Sequence, residues 1–98
     1  MIQCILDGKK IQDRRELHAA LAAGLGLPKW YGGTLDGLYD CLTEPVDRAL
    51  TVINWGELAQ NLGPYANRLW RVLTDAAGEN PCFFLKREPS PEPASETK

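Results

Sequence analysis

The sequence predicts an α/β fold, a small three-stranded parallel sheet packed with helices in the order β-α-α-β-α-α-β. Three short apolar runs, Ile2–Leu6, Leu50–Ile53 and Cys82–Leu85, have the length and composition of strands. The stretches between them carry apolar residues at helical spacing. Every strand-to-strand connection is therefore long and helical, which suits parallel pairing through right-handed crossovers rather than hairpins.

The elements follow in order. Ile2, Cys4 and Leu6 alternate with Gln3 and Ile5 and stop at Asp7-Gly8, a turn signal. Asp13 is placed to cap the first helix, with Glu16 three residues on at capping-box spacing. Leu17, Ala20 and Leu21 give its apolar face, and Gly24 and Gly26 mark its end. A loop, Leu27 to Gly33, carries Trp30 and Tyr31 beside Gly32 and Gly33. Thr34 can cap the second helix, and Asp36 suits its positive end. Leu35, Leu38 and Leu42 form its buried stripe and Pro45 stops it. Leu50–Ile53 reads as a strand buried on both faces. Trp55 to Leu62 is a short helix ended by Gly63-Pro64, and Tyr65 to Ala77 a longer one closed by Gly78.

The 98 residues fit one domain, with a formal charge of only −2. That balance argues against a nucleic-acid binder, which normally carries a clear basic excess. Residues 1–86 are expected to form the domain. Residues 87–98, rich in Pro, Ser and Glu and without a large apolar side chain, are expected to be a disordered tail. Asp7 interrupts the first apolar stretch before it reaches signal-peptide length, and no apolar run approaches a membrane span. A cytoplasmic protein is expected. The odd number of cysteines, Cys4, Cys41 and Cys82, fits a reducing compartment; Cys41 and Cys82 could pair only if they meet in space. No cofactor or metal motif is present. His18 and Cys41 would formally make a base and a nucleophile, but such residues are ordinarily structural in a globular domain, so no catalytic residue is assigned.

The second helix is more informative. At 100° per residue, Asp36, Asp40 and Glu44 form an i, i+4, i+8 row opposite the leucine stripe. Like charges so spaced oppose helix formation. A solvated polar face would account for the row alone. Tyr39 and Thr43 border it, however, and the Trp30-Tyr31-Gly32-Gly33 loop precedes it, a mixture that suits protein binding. Asp75 and Glu79 form a second acidic pair at the end of the last helix, where the helix dipole disfavours them.

The run Leu27-Pro28-x-x-Tyr31-Gly32-x-x-Leu35-Asp36-x-Leu38-x-Asp40-Cys41-Leu42-Thr43 resembles the central segment of the barstar family, intracellular inhibitors of barnase-type ribonucleases. Leu17-His18-x-x-Leu21 is similar to the preceding helix, and a looser likeness runs from Ile2 to about Leu85. The resemblance implies that the aromatic loop and second helix plug a nuclease active site. By it, Asp40 stands where the family's acid mimics a phosphate, and Asp36 where an acid meets a neighbouring basic group. Trp30 would stack on the nuclease's catalytic histidine, and Asp75 and Glu79 match peripheral contacting acids. Four positions depart from the family pattern: Gly33 replaces an acid, Thr34 an asparagine, and Tyr39 and Pro45 each a tryptophan.

The expectation is thus a stoichiometric inhibitor without enzymatic activity, monomeric when free. It would bind a guanyl-specific, barnase-like ribonuclease or a related toxin protein, with no direct contact to nucleic acid or membrane. Partner-binding residues would be Trp30, Tyr31, Gly32, Thr34, Asp36, Tyr39, Asp40, Thr43, Glu44, Asp75 and Glu79. The alternatives are a binding module of the same fold with a different toxin or regulatory target, and an enzyme using His18 and Cys41.

Overall fold

The computed structural model describes residues 1–88. Its elements are β1 (Ile2–Asp7), a 3-10 turn (Gly8–Lys10), α1 (Arg14–Leu25), α2 (Leu35–Leu42), β2 (Arg48–Ile53), α3 (Trp55–Leu62), α4 (Pro64–Glu79) and β3 (Phe83–Arg87). The strands form one parallel sheet in the order β1-β2-β3. Cys4 pairs with Leu50 and Leu50 with Leu85, so these three share one face. The α/β class and the order of elements are those the sequence predicts.

The helices cover one side of the sheet. Cys4, Leu6, Leu50, Val52 and Phe83 meet Leu17, Leu21, Leu25, Leu38, Leu42, Leu69 and Leu73 in a single core. The other side holds Ile5 and Phe84, both largely exposed. β2 consequently alternates buried with partly covered residues and is not buried on both faces. Its apolar sequence reflects its central position, flanked by strands, more than cover on two sides.

Several boundaries have local causes. Asp13 accepts a hydrogen bond from Glu16 N–H at 2.9 Å, as a cap should, but the Glu16 carboxylate accepts from Gln12 N–H at 2.7 Å, one residue before the usual capping-box partner. α1 runs through Gly24 and stops at Gly26, which is left-handed at φ 63°. Gly24 instead lets α1 approach β1, since a Cβ there would lie 2.3 Å from Cys4 Sγ. Likewise Gly78 lies within α4, which begins with Pro64 at its first turn and closes on Asn80.

The expected tail needs correcting at its start. Arg87 ends β3, and its guanidinium lies over the rings of Trp70 and Trp55, 4.5 and 5.0 Å from their centroids. Glu88 N–H continues the ladder to Val52 C=O at 2.9 Å. Composition missed this because Arg87 is anchored by a cation–π contact and not by an apolar side chain. The remainder of the expected tail, from residue 89, lies outside the described residues.

Candidate functional site

The loop and α2 stand together at one end of the helical layer. The Tyr31 N–H donates to Pro28 C=O at 3.0 Å, which turns the chain after Leu27. This leaves Trp30 60% exposed, an unusual placement for the largest apolar side chain. Tyr31 points the other way. Its ring is half-buried against the core, and its hydroxyl is hydrogen-bonded to His18 Nδ1. Gly32 is exposed, and Gly33 takes φ 78°, a left-handed conformation that glycine adopts without strain. Thr34 Oγ1 accepts from Gly37 N–H at 3.0 Å and so starts α2.

α2 is short and strongly two-sided. Leu38, Cys41 and Leu42 are buried, while Asp36 and Asp40 are exposed one turn apart on the opposite side. Neither acid lies within 4 Å of a cationic group of the described residues. Tyr39 is partly buried at the border of this face and packs on the core.

Glu44 does not extend the row. The helix ends at Leu42, just before the stretch that Pro45 keeps from continuing it, and the Thr43 hydroxyl shares its proton between Tyr39 C=O at 3.0 Å and Asp40 C=O at 3.1 Å. The chain then turns before Pro45 is reached. The expected i+8 position is lost, and the Glu44 carboxylate lies 3.6 Å from Arg48. Thr43 is the C-cap of α2, and its hydroxyl is already engaged.

Two buried polar residues that sequence reasoning missed hold α2 in place. Arg48, 3% exposed at the head of β2, donates from Nε to Leu25 C=O at 2.9 Å and from Nη1 to Cys41 C=O at 2.8 Å. One guanidinium thus serves the carbonyl ends of α1 and α2, neither of which has a basic residue in its last turn. Asn80 Nδ2 donates to Leu42 C=O at 2.9 Å and Glu44 C=O at 2.7 Å, tying the end of α2 to that of α4. The one available signal was an arginine opening an otherwise apolar strand; Asn80 gave none.

α4 lies against α2. Asp75 and Glu79 are exposed on its last turns, so both acids the sequence singled out are available at the surface. Near its start, Arg68 and Arg71 share a cleft with Asp36, and Arg68 and Arg14 share another with Gly33 and Asp36.

His18 and Cys41 do not assemble a reactive pair. His18 is buried, its two ring nitrogens engaged by the Tyr31 and Tyr65 hydroxyls. Cys41 is fully buried, and burial pushes its thiol up, the reverse of activation. Cys4, Cys41 and Cys82 are free thiols. Among the described residues no group of three His, Cys, Asp or Glu side chains is placed to hold a metal, and no helix is long and apolar enough to cross a membrane.

Comparison with known proteins matches the chain to a family and to a relative. The family model described as Barstar (barnase inhibitor) matches residues 1–88. A Bacillus subtilis (strain 168) protein named "Putative ribonuclease inhibitor YrdF" is 37% identical over 81 residues, covering 81% of this chain and 89% of that protein.

Proposed function

The chain belongs to the barstar family, and from that premise we propose that it is a stoichiometric inhibitor of a barnase-like, guanyl-specific ribonuclease. It acts by occupancy and performs no reaction of its own. A site that cleaves RNA must be cationic to hold phosphate. A rigid acidic surface can fill such a site, cannot be cleaved there, and is captured quickly through opposite charge.

The observation that carries this reading is the exposed pair Asp36 and Asp40, neither within 4 Å of a cationic group among the described residues, in the helix that follows the exposed Trp30. Asp40 would take the phosphate position and Asp36 a neighbouring basic group. Trp30 would supply an aromatic anchor, with Tyr31 and Gly32 shaping the loop behind it. Tyr39, Thr34 and Thr43 would border the contact, and Asp75 and Glu79 would meet its periphery. Glu44, held toward Arg48, would contribute least. The free protein would be a cytoplasmic monomer, with the nuclease made by the same cell.

The test is an RNA-cleavage assay with purified guanyl-specific ribonucleases, titrated with this protein. The expected result is loss of cleavage at a one-to-one ratio for at least one of them. Undiminished cleavage by every one of them at excess inhibitor would remove the reading.

A further inference from the structure

Four arginines surround the proposed binding loop. Arg14 and Arg15 open α1, and Arg68 and Arg71 lie in the first half of α4; all four are exposed. Arg14, Arg15 and Tyr31 line one cleft beside the loop, Arg14, Asp36 and Arg68 a second, and Asp36, Arg68 and Arg71 a third. Among the described residues, no carboxylate lies within 4 Å of any of the four.

Two of these cations are also held in position. The guanidinium carbons of Arg14 and Arg68 lie 4.4 and 5.6 Å from the centroid of the same Tyr65 ring. Tyr65 is buried and its hydroxyl is bonded to His18, so the ring is a fixed platform. Cation–π contact with one ring keeps two like charges close together, against their mutual repulsion. Side chains ordered before binding lose less entropy on docking.

The face is therefore divided by sign. Asp40, Asp75 and Glu79 lie toward the ends of α2 and α4; Arg14, Arg68 and Arg71 lie around their beginnings, beside Asp36. A uniformly basic nuclease would be attracted to one half and repelled by the other. Resting on the inhibitor reading above, we infer that the cognate nuclease is not uniformly basic: it presents carboxylates beside its cationic centre, placed to meet Arg14, Arg68 and Arg71. The acids define the mode of inhibition, and the arginines select which nuclease is inhibited.

The experiment uses the full chain and the guanyl-specific ribonuclease it inhibits most tightly in the cleavage assay. Dissociation constants are measured for wild type, Arg68→Gln/Arg71→Gln, Arg68→Glu/Arg71→Glu and Asp40→Ala, with thermal melts to verify folding. The neutral pair is expected to weaken binding about tenfold, and the reversed pair further, since reversal adds repulsion to the lost attraction. Affinity unchanged or raised by the reversed pair overturns this inference. If that result accompanies a large loss for Asp40→Ala, the inhibitor reading stands without it. If no ribonuclease is bound, or Asp40→Ala binds like wild type, the inhibitor reading falls as well.

Discussion

His18 Nε2 lies 2.7 Å from the hydroxyl of Tyr65, while its Nδ1 is bonded to the hydroxyl of Tyr31. A neutral imidazole has one donor and one acceptor, so one tyrosine must donate and the other accept. This bridge joins α1, the binding loop and α4. The groups facing it are Tyr31, Tyr65 and the nearby Arg14, and no carboxylate among the described residues pairs with the imidazole.

Burial, and then the charge of Arg14, hold His18 below its ordinary 6.5. The unfolded chain binds a proton near that value and the folded chain does not, so stability rises with pH through the window just below 6.5. At a pH below the folded value both states are protonated and the loss levels off. Asp7, held low chiefly by the Asn54 hydrogen bond, contributes only near or below its ordinary 3.8. Urea midpoints between about pH 5 and 7 should rise with pH in wild type and stay nearly flat in His18→Gln. A flat wild-type profile would mean that His18 titrates equally when folded and unfolded.

Gly24→Ala should destabilise the protein by about 1–3 kcal/mol, although alanine is the better helix former by about 1 kcal/mol. The new methyl meets Cys4 Sγ, 2.3 Å away, and α1 must lift from β1. Removing the sulfur should relieve the clash. The double variant with Cys4→Ala is therefore expected to be more stable than the sum of the single effects predicts, by about 1 kcal/mol or more. Additive melts would show that helix and strand are not in close contact there.

Arg48→Met should cost about 2–4 kcal/mol, because the carbonyls of Leu25 and Cys41 lose their donors inside the core. Glu44→Gln should change stability by less than about 1 kcal/mol, since that carboxylate is 38% exposed and 3.6 Å from its partner. Denaturant unfolding of both variants separates the two roles. Equal losses would assign the importance of Arg48 to the ion pair and not to the helix ends.

Much of this molecule was legible in local pattern. Asp13 and Thr34 cap the helices they precede, and the stripe Leu35, Leu38 and Leu42 put Asp36 and Asp40 on the outer face of α2. Local reasoning failed where a distant group decided the outcome. Gly24 reads as a stop from sequence, and only the closeness of Cys4 makes it a packing residue. Glu44 continues the acidic periodicity, but the helix ends at Leu42 and the Glu44 carboxylate lies toward Arg48. Arg14 and Arg68 are far apart in the chain, and their shared platform on Tyr65 exists only after folding.

Asp40→Ala is the substitution on which the inhibitor reading turns. Asp40 is exposed on α2, one turn after Asp36 and beside the border residue Tyr39, and no cation among the described residues lies within 4 Å of it. Folding therefore gains little from its charge. Its removal relieves repulsion from Asp36 and substitutes a better helix former, so the melting temperature should hold or rise. Binding should move the other way. An acid that displaces phosphate is desolvated against the enzyme's cations, and truncating it leaves those cations buried without a partner. Such losses run to about 2–5 kcal/mol or more, a range for which the barnase–barstar pair is itself the reference, so the size is carried over from it. The expected signature is this divergence in a single sample, with weaker inhibition and unchanged or greater thermal stability. Inhibition retained within about 1 kcal/mol would make Asp40 part of an ordinary solvated face. Weaker inhibition with a matching fall in melting temperature would instead make it a structural residue, and either result would remove the centre of the proposed contact.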